Sequence, residues 1–112
     1  MITAVIGSRA VPEDFYDCLC GCVPANCTEI VSGGAEGIDA LAERYCEKNG
    51  LKIKILEPDY GKYGKNAPLR RNEEIIGYAD YVIAFWDGLS RGTAFIIAKC
   101  IENSVPVRVI IF

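Results

Sequence analysis

The sequence predicts an α/β protein in which helices cover both faces of a five-stranded parallel sheet. Three observations lead to this prediction. Five short apolar segments alternate with four helical ones along residues 1–112, neither a repeat nor a linker interrupts them, and glycine follows several of the apolar segments. Such alternation is typical of a single three-layer α/β domain with an open parallel sheet. Because crossovers between parallel strands are right-handed, few topologies remain.

The five predicted strands are short apolar runs with turn residues at their ends. Residues 2–7 (ITAVIG) and 28–34 (TEIVSGG) are short apolar runs that end in glycine. Such runs are typical of buried strands. Residues 51–58 alternate lysine with isoleucine before a proline, as an edge or half-exposed strand does. Residues 81–86 and 105–112 complete the sheet, and the last begins beside a proline that a strand start tolerates.

The four predicted helices lie between these strands. In residues 37–49 the apolar side chains recur on one face of a helix, and an Asn-Gly pair marks the end of that helix. Residues 12–22 and 67–78 each carry a proline at the start. Residues 92–103 are apolar nearly all round, which predicts a helix that is buried.

Composition and charge narrow the class of protein. With 51% hydrophobic and 24% charged residues, the chain has the composition of a globular protein. Its apolar runs are far shorter than the roughly 20 residues that a membrane span needs, and its first residues indicate a strand and not a signal peptide. We therefore expect a cytoplasmic protein with no membrane partner. The net charge of -3 disfavours general binding to nucleic acid.

One basic stretch departs from this acidic balance. Residues 60–72 contain no carboxylate and four cations: Lys62, Lys65, Arg70 and Arg71. This pattern indicates a local anion site, and the alternative is a basic loop exposed to solvent.

The six cysteines invite a metal-site interpretation, because four of them fall within residues 18–27. Their C-x-C-x-C spacing is not that of a zinc knuckle, and the sequence contains no histidine. Disulfides are disfavoured without a secretory context. We expect small buried thiols, no metal and no cofactor, and the role of the cluster stays open.

Three loops should meet at one edge of the sheet. They are GSR at 7–9, SGGAEGID at 32–39 and WDGLSRGT at 86–93, directly after the first, second and fourth strands. Ligands of parallel sheets bind outside the carboxyl ends of the strands, where glycine lets the backbone approach and a helix start offers N–H groups to an anion. The hydroxyls of these loops also suit simple helix caps.

Several common site classes lack their motifs. The dinucleotide fingerprint GxGxxG does not follow the first strand, and no Walker sequence is present. Without histidine, no hydrolytic triad can be assembled. NAD-dependent oxidoreduction, P-loop hydrolysis and triad chemistry are therefore disfavoured.

Four motifs resemble those of the YspA-type branch of the SLOG superfamily, which unites Rossmann-like proteins related to DprA and to the LOG phosphoribohydrolases. They are GSR, SGGAEGIDALA, PLRRN at the start of the third helix, and AFWDGLSRGT. The resemblance covers nearly the whole chain. It implies one Rossmann-like domain with strand order 3-2-1-4-5, whose glycine-rich loops bind a nucleotide or nucleotide-derived ligand.

The resemblance also implies which residues line the pocket. They are Gly7, Ser8, Arg9, Ser32, Gly33, Gly34, Ala35, Gly37, Asp39, Arg71, Asn72, Asp87, Gly88, Ser90, Arg91, Gly92 and Thr93. Backbone N–H groups at Gly92 and Thr93, with the arginines of the set, suit a phosphate. Asp39 or Asp87 suits ribose hydroxyls, and Trp86 fits either a stacked base or the core.

The sequence departs from the enzymatic branch at two places. LOG enzymes carry an acidic residue shortly after the threonine of the fourth loop, whereas this chain has residues 94–96 (AFI) there. Asn72 stands where those enzymes have lysine. Because an oxocarbenium-like transition state calls for a carboxylate, we expect a non-catalytic sensor or effector module.

Two other functions and one assembly question stay open at this point. The first alternative is a phosphoribohydrolase that cleaves the N-glycosidic bond of a nucleoside 5'-monophosphate, with Asp39 or Asp87 as the catalytic carboxylate, or Glu73 in their place. The second is DprA-like binding of single-stranded DNA through Tyr60 and Tyr63. A homodimer is compatible with either.

Overall fold

The protein is described here from a computed structural model, which covers residues 1–8, 11–33 and 36–112. Five strands form one sheet: β1 (Ile2–Gly7), β2 (Glu29–Ser32), β3 (Lys52–Ile55), β4 (Tyr81–Trp86) and β5 (Val107–Ile111). Their order is β3-β2-β1-β4-β5, and every neighbouring pair is parallel. The predicted fold class and strand order are confirmed. The second, third and fifth strands are shorter than the sequence predicts.

Five α-helices connect the strands: α1 (Tyr16–Cys22), α2 (Glu36–Asn49), α3 (Tyr60–Tyr63), α4 (Ala67–Tyr78) and α5 (Arg91–Glu102). The predicted helices at 37–49, 67–78 and 92–103 agree with the structure to within one residue at each end. The helix predicted at 12–22 begins with a 3-10 turn, Glu13–Phe15, and becomes α-helical at Tyr16. Helix α3, a single turn, was not predicted.

The two faces of the sheet carry separate apolar clusters. Alternate residues of β1 point to opposite faces, so that Val5 packs with α1 and α2, and Ala4 packs with α4 and α5. Phe85 on β4 is fully buried in the first cluster, and Ile75 on α4 is fully buried in the second. The central strands are therefore fixed from both sides, which holds their carboxyl ends in place.

Both edges of the sheet expose basic side chains, Arg108 among them on β5, but they differ in how much apolar surface they expose. In β3, Lys52 and Lys54 are exposed and alternate with half-buried isoleucines, which confirms the predicted edge strand. In β5, at the opposite edge, the exposed residues include Val109 and Ile111, the latter 63% exposed.

Helix α5 is not buried all round, and the prediction made for residues 92–103 was wrong on this point. Only Thr93, Ile96 and Cys100 are buried, and they form one stripe at helical spacing. Ile101 is 68% exposed. The physical reason is that α5 packs on α4, β4 and the edge strand β5 through this one stripe, while the opposite side of the helix is exposed.

Four cysteines are buried as predicted: Cys22, Cys27, Cys46 and Cys100. Cys18 is half-buried and Cys20 is exposed, so the expectation of buried thiols was wrong for Cys20. None of the six is in a disulfide. Burial raises the pKa of Cys46 to about 11, which makes this thiol a poor nucleophile.

Across the described ranges, no helix combines the length and the apolar character that crossing a membrane would require.

Candidate functional site

A cavity of about 890 Å³ opens at the carboxyl edge of the sheet. Its wall is built from the ends of β1 and β2, the loop after β3, and the starts of α2, α4 and α5. A cavity of this volume falls in the range of sites for small molecules. Eight of the predicted residues line it: Gly7, Gly33, Gly37, Arg71, Asn72, Ser90, Gly92 and Thr93.

The glycines of the wall serve different purposes. A Cβ on Gly7 would come within 2.8 Å of Ile38 Cγ1 and 2.9 Å of the Phe85 carbonyl oxygen, so this glycine lets β1 approach α2 and β4. A Cβ on Gly37 would come within 3.1 Å of a backbone oxygen. A Cβ on Gly92 would meet no described atom within 4 Å beyond its own helix and chain neighbours, which leaves open space at the start of α5.

Arg71 on α4 brings a positive charge to the cavity. Its Nε donates to Asn72 Oδ1 at 2.8 Å, and its Nη1 donates to the carbonyl oxygens of Gly33 and Leu56. Burial lowers the pKa of Arg71 and Asp39 opposes that shift, but a guanidinium remains protonated at neutral pH. No carboxylate of the described residues forms an ion pair with it. The site therefore holds a fixed cation.

The other cations of residues 60–72 lie away from the cavity wall. Arg70 pairs with Glu73 at 3.4 Å on the outer side of α4, with more than half of its side chain exposed. Lys62 and Lys65 are exposed as well. Of the four cations in this stretch, Arg71 is the one that lines the cavity.

A hydroxyl network ties β1 to the start of α5. Ser8 is 2% exposed, and its Oγ accepts from the Asp87 N–H at 3.2 Å and lies 3.5 Å from Thr93 Oγ1. Ser90 is the N-cap of α5: its Oγ accepts from the Thr93 N–H at 3.4 Å. The hydroxyls of this loop thus fix its shape, as the simple capping alternative expects.

The side chain of Asp87 accepts hydrogen bonds from the backbone of its own loop. Its Oδ1 accepts from the backbone N–H groups of Ser90 and Leu89, each at 2.8 Å, and these bonds hold the pKa of Asp87 below its ordinary value. Gly88, at φ +82°, supplies the left-handed residue of the turn. Neither Asp87 nor Gly88 belongs to the cavity wall. Asp87 is thus an ionised turn residue, and its role as a catalytic carboxylate stays a prediction of the enzymatic alternative.

Asp39, the other predicted carboxylate, is bonded to the neighbouring strand. Ser32 is fully buried at the end of β2 and donates its hydroxyl to Asp39 Oδ1. This bond fixes the first turn of α2 against the sheet. Neither Ser32 nor Asp39 is among the residues that line the cavity.

The remaining predictions divide into two groups. Arg91 is exposed and does not line the cavity. Trp86 does not line it either, and its indole N–H donates to the Ser90 carbonyl at 3.0 Å, which ties the ring to the loop before α5. Three predicted residues fall outside the described part of the chain: Arg9, Gly34 and Ala35.

The sequence reasoning missed part of the wall. Pro58, Tyr60 and Pro68 line the cavity near α3, and Glu36 lines it at the start of α2. The signal was available, because the loop after β3 opens at the same edge as the other loops of a parallel sheet. Only the loops after three of the five strands were considered.

The fold and the cavity define a class: an α/β protein with a doubly wound parallel sheet and a concave site that holds a guanidinium at the carboxyl edge. No protein-family model, curated protein or solved structure matches the chain. The relation to the SLOG superfamily therefore depends on the four sequence motifs and is part of the proposal that follows.

Proposed function

We propose that this protein is a SLOG-type module that binds a nucleotide or nucleotide-derived ligand, as a sensor or effector component. The observation that carries the proposal is Arg71. Its guanidinium is held by backbone carbonyls within a cavity of about 890 Å³, and no described carboxylate pairs with it.

A phosphate is the group that such a cation suits best. Nε and Nη1 already donate to protein groups, whereas Nη2 has no acceptor among the described residues, so its N–H groups are the donors left for a phosphate oxygen. Hydrogen bonds between charged partners are about twice as strong as neutral ones. The start of α5 lines the same cavity. In the first turn of α5, the N–H groups of Thr93 and Ala94 donate to Ser90. The N–H groups of Arg91 and Gly92 have no acceptor among the described residues.

Asn72 adds a donor beside this cation. It is 4% exposed, and its Oδ1 already accepts from Arg71, so the group it offers to the cavity is the amide NH₂. Amide donors recognise hydroxyl or phosphate oxygens. Arg71, Asn72 and the start of α5 all offer N–H donors to the cavity. Together they suit a ligand that has a polar, anionic end.

Glycosidic hydrolysis is the weaker proposal. Both carboxylates predicted for it, Asp39 and Asp87, bond to protein groups and stand off the wall. Among the described lining residues, Glu36 is the one that carries a carboxylate, and it is exposed. We therefore expect binding without release of free base.

Adjacent arginines on α4 give a matched test of the proposal. The affinity for AMP is measured by titration calorimetry. We expect the wild type and Arg70→Gln to bind AMP with equal affinity, because Arg70 faces solvent. Arg71→Gln should weaken binding by about tenfold or more, the size of one charged hydrogen bond. Chromatography of the same samples should show intact AMP.

Two results would contradict the proposal. One is equal weakening by Arg70→Gln and Arg71→Gln, which would indicate general charge attraction. The other is the absence of binding by AMP, ADP-ribose, NAD and cyclic dinucleotides to the wild type.

A further inference from the structure

The rim of the cavity carries an exposed aromatic ring. Tyr60 on α3 is 62% exposed, although removing a tyrosine ring from water lowers the free energy. It is not an isolated surface residue, because Pro58 and Pro68 line the cavity with it. This apolar rim contrasts with the polar wall formed by Arg71 and Asn72.

The ring is held on a capped turn. Asp59 Oδ1 accepts from the Lys62 N–H at 3.1 Å, and the Asp59 carbonyl accepts from the Tyr63 N–H at 3.0 Å. Gly64, at φ +57°, ends the turn. A tyrosine has only two side-chain torsions, so ordering it against a ligand costs little conformational entropy.

Tyr63, on the same turn, is in a different environment. It is half-buried, and cations cover its ring, with Lys62 Nζ 5.1 Å and Arg70 Cζ 5.9 Å from the centroid. No described cation covers Tyr60 in this way. Tyr63 is off the cavity wall, whereas Tyr60 is on it. The turn therefore presents one open aromatic face to the cavity.

We propose that Tyr60 is the stacking platform for the planar base of the bound nucleotide, and that it sets the preference for a nucleotide over a sugar phosphate. The inference rests on the proposed function, since it assigns the base end of the same site. Arg71 and the start of α5 bind the anionic end, and Tyr60 covers the ring. Stacking on an aromatic side chain tolerates any base, because every base has a π face.

The test compares two probes that differ only in the base, AMP and ribose 5-phosphate, on four proteins: wild type, Tyr60→Ala, Tyr60→Phe and Tyr63→Ala. We expect Tyr60→Ala to weaken AMP by about tenfold to 100-fold, the usual effect of losing one stacking partner, and to leave ribose 5-phosphate unchanged. Tyr60→Phe keeps the ring and should keep AMP affinity. Tyr63→Ala should bind both probes as the wild type does.

The outcomes separate this inference from the proposed function. If Tyr60→Ala leaves AMP unchanged, or weakens both probes equally, the stacking role is overturned while the anion site stands. If the wild type binds AMP no better than ribose 5-phosphate, the stacking role fails in the same way. If the wild type binds neither, the proposed function and the inference both fail. Since Tyr60 is exposed, its substitution should leave thermal unfolding unchanged, which checks that each variant is folded.

Discussion

At the residue scale, Asp87 shows how a carboxylate in a loop beside the cavity can accept hydrogen bonds from the backbone of that loop. Its two bonds to the N–H groups of Ser90 and Leu89 shape the turn before α5, and they stabilise the ionised form. The sequence places this residue in the loop correctly. It does not distinguish a carboxylate that faces a ligand from one that accepts from its own turn, because both occur beside glycine and serine.

Asp87→Asn should lower the melting temperature at neutral pH, since the amide keeps an acceptor but loses the charge. The pKa of Asp87 in the folded protein is below the unfolded value of about 3.9. The stabilisation is therefore complete above that value and is lost as the pH falls through the folded pKa. Thermal unfolding from neutral to acidic pH should show the difference between wild type and variant constant above about pH 5 and shrinking below about pH 4.

Asp17→Asn is the control for net charge, because Asp17 is exposed and accepts no side-chain hydrogen bond from the described residues. It should change the melting temperature little at any pH. A difference for Asp87→Asn that persists unchanged into strong acid would show that the carboxylate charge is not what holds the turn.

The two arginines of α4 illustrate what the sequence can resolve. Arg71 lies four residues from the buried Ala67 and four from the buried Ile75, and so falls on the inward stripe of the helix. Arg70 pairs with Glu73 on the outside. Helical phase alone predicts which arginine faces inward, but the backbone carbonyls that hold its guanidinium come from residues distant in the sequence.

At the scale of elements, the long periodic segments were predictable and the short one was not. Helices of 12 to 14 residues show their period and their stops, which is why α2, α4 and α5 were placed to within one residue. Helix α3 has four residues, one of them glycine, and is too short to show any period. Because this turn was not predicted, the sequence suggests Tyr60 only as a contact for single-stranded DNA and does not place it at the rim of the cavity.

Helix α5 gives a direct test of one-sided burial. Ile96 is 4% exposed and Ile101 is 68% exposed, although both are isoleucines on the same helix. Ile96→Ala should destabilise the protein by about 2–5 kcal/mol, because it leaves a cavity in the core. Ile101→Ala should change the free energy of unfolding by no more than about 0.5 kcal/mol. Denaturant unfolding measures both values, and equal losses would mean that α5 is covered on both sides in solution.

At the scale of the whole molecule, the strand order decides where the site is. The chain leaves β1 toward α1 on one face of the sheet and leaves β4 toward α5 on the other, so the connections that follow these two paired strands diverge at their carboxyl ends. The crevice between such diverging connections is the usual ligand site of this architecture. The sequence therefore predicts the location. The volume and the rim depend on how α3 and α4 pack beside the crevice, which local periodicity does not encode.

Because the cavity is built from loops and helix starts on both sides of the sheet, a bound ligand should stabilise the entire domain. AMP at 100 times its dissociation constant should add about 2.7 kcal/mol to the free energy of unfolding. Small domains have a total stability of about 5–15 kcal/mol, and for 112 residues this gain corresponds to a rise in melting temperature on the order of 10 °C. At the same AMP concentration, Arg70→Gln should show the full rise and Arg71→Gln a much smaller one. If AMP, ADP-ribose, NAD and cyclic dinucleotides all leave the melting temperature of the wild type unchanged, the cavity is not a nucleotide site.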